Sequence, residues 1–502
     1  MSEPMPEPVL RVRDHAGGGW RPVRELDPAS AQRRRGGRIA PTRYVADRLI
    51  IRGIPGADDD AVIAAAIAAA QRRGLAYTLQ EAPVAASRGE VRRTAVSLVV
   101  EGDDADAWDL LDEAVAELGD EERVRAGLDH VLVGHKNTVG LGRPGGPKPG
   151  HRPGPPPRRT HEVGSNPEIT ADGVRRPVVA IVDTGIGRHP WFDDSDAVLR
   201  GVTLSDGPIG TYPAEEPDGD ALPQRSEEGE VIPSHAGHGT FIAGIVHQVC
   251  PDAVLLPVRV LGTDGLVSEW DLARTLERLL EYHVSGVRGA EDRSGVDVVI
   301  LACGFLPEDL ADDDYEGVLR GVLRDLRREG VLVVVSAGND GTRAPVFPAA
   351  WAPVVEVVGD RVRPANPDDL TDEYPPLLVV GAGNPNGTLA DFSNDGPWVT
   401  TARPGVEVLS TMPVSYDGPA VPQTRRADGE QEALDADDFT GGFALWSGTS
   451  FAAPVLAGEL AAALLQGRAG GPEIDRRDRY ARVSTAWDAV YSVEGLYEAP
   501  TV

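Results

Sequence analysis

A chain of 502 residues exceeds what one hydrophobic core usually organises, so two folded units or one elaborated domain are expected. With 41% hydrophobic and 25% charged residues it reads as an ordinary globular protein, while 58 Gly and 42 Pro point to many loops or a long linker. A formal net charge of −30 argues against nucleic acid as the main partner, because phosphate binding needs a basic face. The acidic excess reads first as a solvated surface.

The N-terminus, Met1-Ser-Glu-Pro-Met-Pro-Glu-Pro8, lacks the basic and apolar stretches of a secretory signal. Apolar runs such as Val331 to Val335 are too short to span a bilayer, so a cytoplasmic location with no membrane partner is expected. Residues 1–41, polar and rich in Gly, Pro and Arg, are expected to be disordered. Residues 42–136 carry strand patterns at Tyr44 to Ile51, Leu75 to Leu79, Thr94 to Val100 and His130 to Val133. Between them lie a helix from Asp58 to Arg73, with Gly74 where a C-cap belongs, and a second helix with Trp108, Leu111, Val115 and Leu118 on one face. Two helices interleaved with about four strands suggest a small α/β domain of ferredoxin-like type.

Residues 137–176 form a linker: from Arg143 to Pro157, 11 of 15 residues are Pro or Gly, which cannot build a core. From residue 177 to about 495, apolar strands alternate with amphipathic helices. The strands are Val178 to Val182, Val254 to Val260, Val296 to Leu301, Val331 to Ser336 and Leu377 to Gly381. The helices include Thr240 to His247, Glu269 to Tyr282, Tyr315 to Glu329 and Ser450 to Leu465. This alternation predicts an α/β fold, a parallel sheet with helices on both faces, whose chemistry gathers at the C-terminal strand ends.

Three segments there carry candidate chemistry. Val178-Val-Ala-Ile-Val-Asp-Thr-Gly185 is a strand ending in Asp183 beside a tight turn. His235-Ala-Gly-His-Gly-Thr-Phe-Ile-Ala-Gly244 sets His238 between glycines at the start of an apolar helix, whereas His235 and His189 read as loop residues. Ser447-Gly-Thr-Ser-Phe-Ala-Ala-Pro454 puts Ser450 in a first helical turn, among unpaired N–H groups and the positive dipole end. Taken singly, each is as readable as a turn former, a structural ring or an N-cap.

Taken together they fall in the order Asp, His, Ser, and they resemble the signature blocks of the subtilisin-like serine protease (subtilase) family: Asp-Thr-Gly, His-Gly-Thr and Gly-Thr-Ser-x-Ala-x-Pro. A fourth block, Val334-Val-Ser-Ala-Gly-Asn-Asp340, is similar to the family's oxyanion-hole strand. The resemblance covers roughly residues 177 to 468. It implies a serine endopeptidase with Asp183, His238 and Ser450 as catalytic triad, and an oxyanion hole from the Asn339 side chain and the Ser450 backbone N–H. It implies protein or peptide substrates and requires no metal or organic cofactor. Calcium is common in the family, but no Asp-x-Asp-x-Asp-Gly loop occurs.

The match is loose at the substrate cleft. Ala302-Cys303-Gly304 stand where the family has Ser-Leu-Gly, so these residues and Gly338 are expected to bind substrate by backbone pairing, with altered pocket walls. Cys250 and Cys303 are the only cysteines and are expected to be free, buried thiols. Acidic loops at Ala214 to Glu230 and Ala427 to Asp438 read as surface loops, or alternatively as cleft walls favouring basic substrates. Residues 42–136 are similar in pattern to inhibitory propeptides, with the last strand reaching the site near His135; a partner- or substrate-binding domain is the other reading. A catalytically silent protein-binding module on the same fold also stays open.

Overall fold

The computed structural model describes residues 10–14, 19–29, 31, 39–52, 61–81, 95–102, 105–134, 147–149, 155–193, 196–205, 207–212, 233–290, 293, 295–308, 317–416, 425–426, 429–430, 439, 441–471 and 475–499. The acidic loop 214–230, almost all of 427–438, and His135 lie outside the described residues. The chain divides into two compact units: Met1–Leu132 with Leu266–Glu277 and Phe305–Val322, and Val133–Gly265 with Arg278–Gly304 and Leu323–Val502.

In the first unit, β1 (Arg11–Arg13) and β2 (Trp20–Glu25) precede β3 (Arg43–Arg52), α1 (Ala61–Arg72), β4 (Ala76–Glu81), β5 (Ala95–Glu101), α2 (Ala107–Val115) and β6 (Ala126–Gly134), whose last two residues belong to the second unit. Strand β3 is central, pairing antiparallel with β2, β5 and β6, while β5 also pairs β4. From β3 to β6 the order β6-β3-β5-β4 is that of the ferredoxin-like βαββαβ pattern. Leu49, Ile51, Leu98 and Val100 on one sheet face pack with Val62, Ala66 and Ala69 of α1 and Trp108 and Leu111 of α2. The expectation of disorder over residues 1–41 is corrected at 11–13 and 20–25. Arg11–Arg13 pairs with Trp20–Pro22, and Val23 continues onto Val45. Composition hid these strands, since their order comes from backbone pairing rather than an apolar run.

Two buried polar groupings add to this unit. Arg48, fully buried, is ion-paired to Asp14 (2.8 Å) and Asp129 (3.1 Å) and lies 3.6 Å from Asp271. On β6, His130 Nδ1 meets Glu269 (3.0 Å) and Nε2 meets Glu308 (2.7 Å), while its ring stacks on Phe305. Burial alone would lower its pKa, but the two carboxylates outweigh that and push it up to about 10.

The second unit holds a six-stranded, all-parallel sheet. Its strands are β8 (Val178–Asp183), β9 (Val254–Arg259), β10 (Val298–Leu301), β12 (Leu332–Ser336), β13 (Leu377–Gly383) and β14 (Thr401–Pro404), in the spatial order β9-β8-β10-β12-β13-β14. Two short strands lie outside it, β7 (Lys148–Pro149) and β11 (Cys303–Gly304). Every residue of β8, β10 and β12 is buried, which explains their unbroken Val/Ile/Leu runs. The chain leaves β8 toward one side of the sheet and later returns to build on the other. The C-terminal end of β8 is therefore a topological switch point, where a crevice opens.

Helices α3 (His238–Val249) and α6 (Thr449–Gly470) pack against this sheet and α7 (Arg479–Ser492) against α6, while α4 (Glu269–Val287) and α5 (Val318–Arg328) are each divided between the two units. Ile181, Ile300, Val334 and Val380 share a core with Phe241 and Ile245 of α3 and Leu456 and Leu460 of α6. Helix α6 is long and apolar enough to cross a membrane, and its burial among these residues accounts for that composition. The linker reading also needs amendment. Lys148 and Pro149 pair with Leu445 and Ala444 of β16 (Phe443–Trp446), which itself pairs with β15 (Val408–Thr411). Beyond them, Thr160 and His161 donate backbone hydrogen bonds to Asp252.

Because the folded pKa of His130 lies above the unfolded value of 6.5, its contribution to stability is complete below about 6.5 and disappears as pH rises through about 10. A His130→Gln variant is therefore expected to be less stable than wild type to urea at neutral pH, with the gap closing toward pH 10. A constant gap across that range contradicts the ion grouping.

Candidate active site

Asp183 is the last residue of β8 and His238 the first of α3, and the structure brings the two side chains together. His238 Nδ1 lies 2.8 and 3.0 Å from the two carboxylate oxygens of Asp183, and the Thr184 N–H donates to the same carboxylate at 2.8 Å. A carboxylate can only accept, so Nδ1 carries the proton and a neutral ring presents a bare Nε2. Both residues are about 99% buried, where a charge pair is poorly screened by solvent.

This contact requires the helix to begin against the turn that ends β8. Gly237 starts it in the left-handed region, at φ 79°, and a Cβ on Gly239 would collide with the carbonyl of Gly185. Two threonines then fasten the approach reciprocally: Gly239 N–H donates to Thr184 Oγ1 (3.0 Å) and Gly187 N–H to Thr240 Oγ1 (2.7 Å).

Ser450 is the second residue of α6, buried, and its Oγ has no hydrogen-bond partner among the described residues. The ring of the next residue, Phe451, lies 5.3 Å from the His238 ring, and Trp446 flanks His238 at 5.6 Å. Phe241, Trp446 and Phe451 pack together with centroids 4.5 to 5.6 Å apart, coupling α3 to the start of α6. In the first turn of α6, Thr449 N–H donates to Asn339 and Phe451 N–H to Gly448 O, and the positive dipole end there suits a developing negative charge.

Asn339 follows β12 and lies beside the same helix start. Its Oδ1 accepts from Thr449 N–H and Thr449 Oγ1, each at 2.9 Å, and Thr449 Oγ1 accepts from Gly338 N–H at 3.1 Å. With the oxygen end committed to Thr449, the amide's orientation is set and its NH₂ end faces the other way. Asn394 steadies the same loop, donating to Ala337 O (3.0 Å) and accepting from Asp340 and Thr342 N–H (3.0 and 3.1 Å). Sequence reasoning assigned nothing to Thr449, Thr184, Thr240 or Asn394. The threonines sit inside the signature blocks, but only coordinates reveal which backbone groups they hold.

Ala302 ends the run from β10, and Cys303–Gly304 form β11, which pairs antiparallel with Val133 and Gly134: Cys303 opposite Gly134 and Gly304 opposite Val133. Gly134 N–H also donates to Gly265 O at 2.7 Å. An extended stretch of chain thus lies against β11 by backbone pairing, the mode expected for a peptide. Cys303 and Cys250 are free and buried. Burial pushes the Cys250 thiol up to about 12 and the Cys303 thiol well up, with Asp183 adding to the latter, so neither is a ready nucleophile.

His235, read from sequence as a loop residue, is fully buried, with its ring 5.4 Å from that of His238. Its position three residues before His238, across a turn, is the only sequence signal that marks it. His189 lies among Trp191, Phe192 and Phe443. Among the described residues no three or more His, Cys, Asp or Glu side chains gather as a metal-binding set.

The sequence model of the subtilase family matches residues 175–478. The major intracellular serine protease of Bacillus subtilis (strain 168) is 26% identical over 264 residues, 49% of this chain and 64% of that protein. Mycosin-4 of Mycobacterium tuberculosis is 28% identical over 302 residues, 58% of this chain and 55% of that protein. Subtilisin BL of Lederbergia lenta is 27% identical over 259 residues, 50% of this chain and 70% of that protein. The chain thus spans less than two thirds of the length of the first two of these relatives.

Thr449→Val keeps the side chain's shape and removes both hydrogen bonds of Oγ1. It is expected to slow modification of Ser450 by a fluorophosphonate about 10- to 100-fold through misplacement of Asn339, with Thr449→Ser close to wild type. Equal rates for Val and Ser variants contradict that role.

Proposed function

The chain belongs to the subtilase family, and on that premise we propose that it is a serine endopeptidase cleaving protein or peptide substrates, with Ser450 as nucleophile. A serine hydroxyl is a weak nucleophile at neutral pH and needs an adjacent base. In this reading His238 Nε2 takes the Ser450 proton as Oγ attacks the carbonyl carbon, forming a tetrahedral oxyanion. The protonated imidazole then gives its proton to the leaving amine, and water releases the acyl group by the same steps. Asp183 keeps the proton on Nδ1 and stabilises the imidazolium. Asn339 Nδ2 and the Ser450 N–H receive the oxyanion. None of these steps calls on a metal.

The observation that carries the reading is the close contact of His238 Nδ1 with Asp183, 2.8 Å, in a ring that also touches the residue following Ser450. It orients the other ring nitrogen for proton transfer. The antiparallel pairing of Val133–Gly134 on Cys303–Gly304 supports recognition of an extended substrate through its backbone. It also favours the inhibitory reading of residues 42–136. Strand β6 runs from that segment into Val133 and Gly134, and a chain paired there keeps other peptides out.

Two measurements test this. Wild type is expected to be labelled by a fluorophosphonate at Ser450, and Asp183→Asn to react slower by about 10⁴, the cost of the wrong tautomer. No labelling of wild type favours the silent binding module. By intact mass, wild type is expected to show a cut just after Gly134 or His135 that Ser450→Ala lacks; an uncut, fully active wild type contradicts the inhibitory role.

A further inference from the structure

His235 is held on three sides. Its backbone N–H donates to Thr263 O at 2.9 Å, its Nδ1 lies 2.9 Å from Ser234 Oγ, and its Nε2 lies 2.8 Å from the carbonyl oxygen of Gly134. A carbonyl accepts only, so Nε2 carries the proton and Nδ1 accepts from the serine hydroxyl. Burial, with His238 next, lowers the ring's pKa to about 4, so it is neutral near pH 7 and this tautomer is the one that fits both partners.

The ring also walls the strand it bonds. A Cβ placed on Gly134 would come within 2.7 Å of His235 Cδ2 and 2.8 Å of Nε2, with Leu261 Cδ1 at 3.5 Å behind. Side-chain ends often yield to such contacts, but this one has little room. Its other side lies against Gly265, where a Cβ would collide with the same ring, and Gly265 is left-handed at φ 77°. His235 is 1% exposed. The imidazole is thus clamped between two glycines, one on the bound strand and one on the wall of the cleft.

We propose that His235 is a specificity-determining residue that restricts the cleft to extended peptides with glycine at the position it contacts, reading that residue's carbonyl through Nε2–H and excluding any side chain. This rests on the endopeptidase reading. The His235 ring lies 5.4 Å from that of His238 and an extended chain advances about 3.3 Å per residue, so the position contacted lies within about two residues of the bond to be cut. Gly134 is the chain's own occupant of that position. The pocket walls that differ from the family at Ala302-Cys303-Gly304 leave backbone pairing intact, and here a histidine three residues before the general base adds the selection.

A double-mutant cycle in the full chain tests it. Gly134→Ala and Gly134→Leu are made with His235 and with His235→Ala, and the rate of fluorophosphonate labelling at Ser450 is followed by mass spectrometry. Circular dichroism checks that each chain is folded, and the Ala variant serves if the Leu variant is not. With His235 present, a side chain at position 134 is expected to expel the strand and speed labelling at least tenfold. With His235→Ala the same change is expected to alter the rate less than twofold. The same factor in both backgrounds, or no change with His235 present, overturns the proposal. No labelling in any of the six chains overturns the endopeptidase reading itself.

Discussion

The organisation of the second unit turns on one close approach, the start of α3 against the end of β8, which places the His238 imidazole on the Asp183 carboxylate at 2.8 Å. A buried carboxylate is tolerable only when it is hydrogen-bonded, and here His238 Nδ1–H and the Thr184 backbone N–H both donate to it. The approach exists because Gly239 has no Cβ to meet Gly185 and because Thr184 and Thr240 each hold a backbone N–H of the other segment. Aromatic packing of Phe241 with Trp446 and Phe451 then carries the positioning from α3 to the start of α6. Asp183, His238 and Ser450 sit at the ends of core strands and helices, which favours the fixed geometry that proton transfer demands.

A second consequence concerns how a peptide can be recognised. Cys303 and Gly304 offer mainly main-chain groups, and backbone pairing by itself does not distinguish one sequence from another. Selection must come from side chains that line the paired strand. His235 is a buried polar side chain that bonds the carbonyl of the paired strand.

Much of this was legible in the sequence where a single local signal decided the outcome. Uninterrupted runs such as Val178 to Val182 and Val331 to Val335 can only be strands buried on both faces, and they are β8 and β12. The Asp183–His238 contact was anticipated because their two blocks, in that order, resemble signature blocks of the subtilase family. What stayed hidden depends on partners distant in sequence. Strands β1 and β2 have no strong apolar alternation and are ordered by pairing with one another and with β3. Lys148 and Pro149, inside a Pro/Gly-rich stretch, become a strand only because β16 offers an edge. Thr449 and His235 look like filler until the Asn339 amide and the Gly134 carbonyl are placed beside them.

The most direct measurement of the central claim is a crystal structure of the chain with its Ser450 oxygen phosphonylated, a tetrahedral adduct that stands in for the reaction intermediate. The account predicts one phosphonyl oxygen about 2.7–3.1 Å from both Asn339 Nδ2 and the Ser450 nitrogen, with His238 Nε2 in hydrogen-bond reach of the adduct and Nδ1 still on Asp183. An adduct whose oxygen turns away from Asn339, or a His238 ring that leaves Asp183 to accommodate it, contradicts the account.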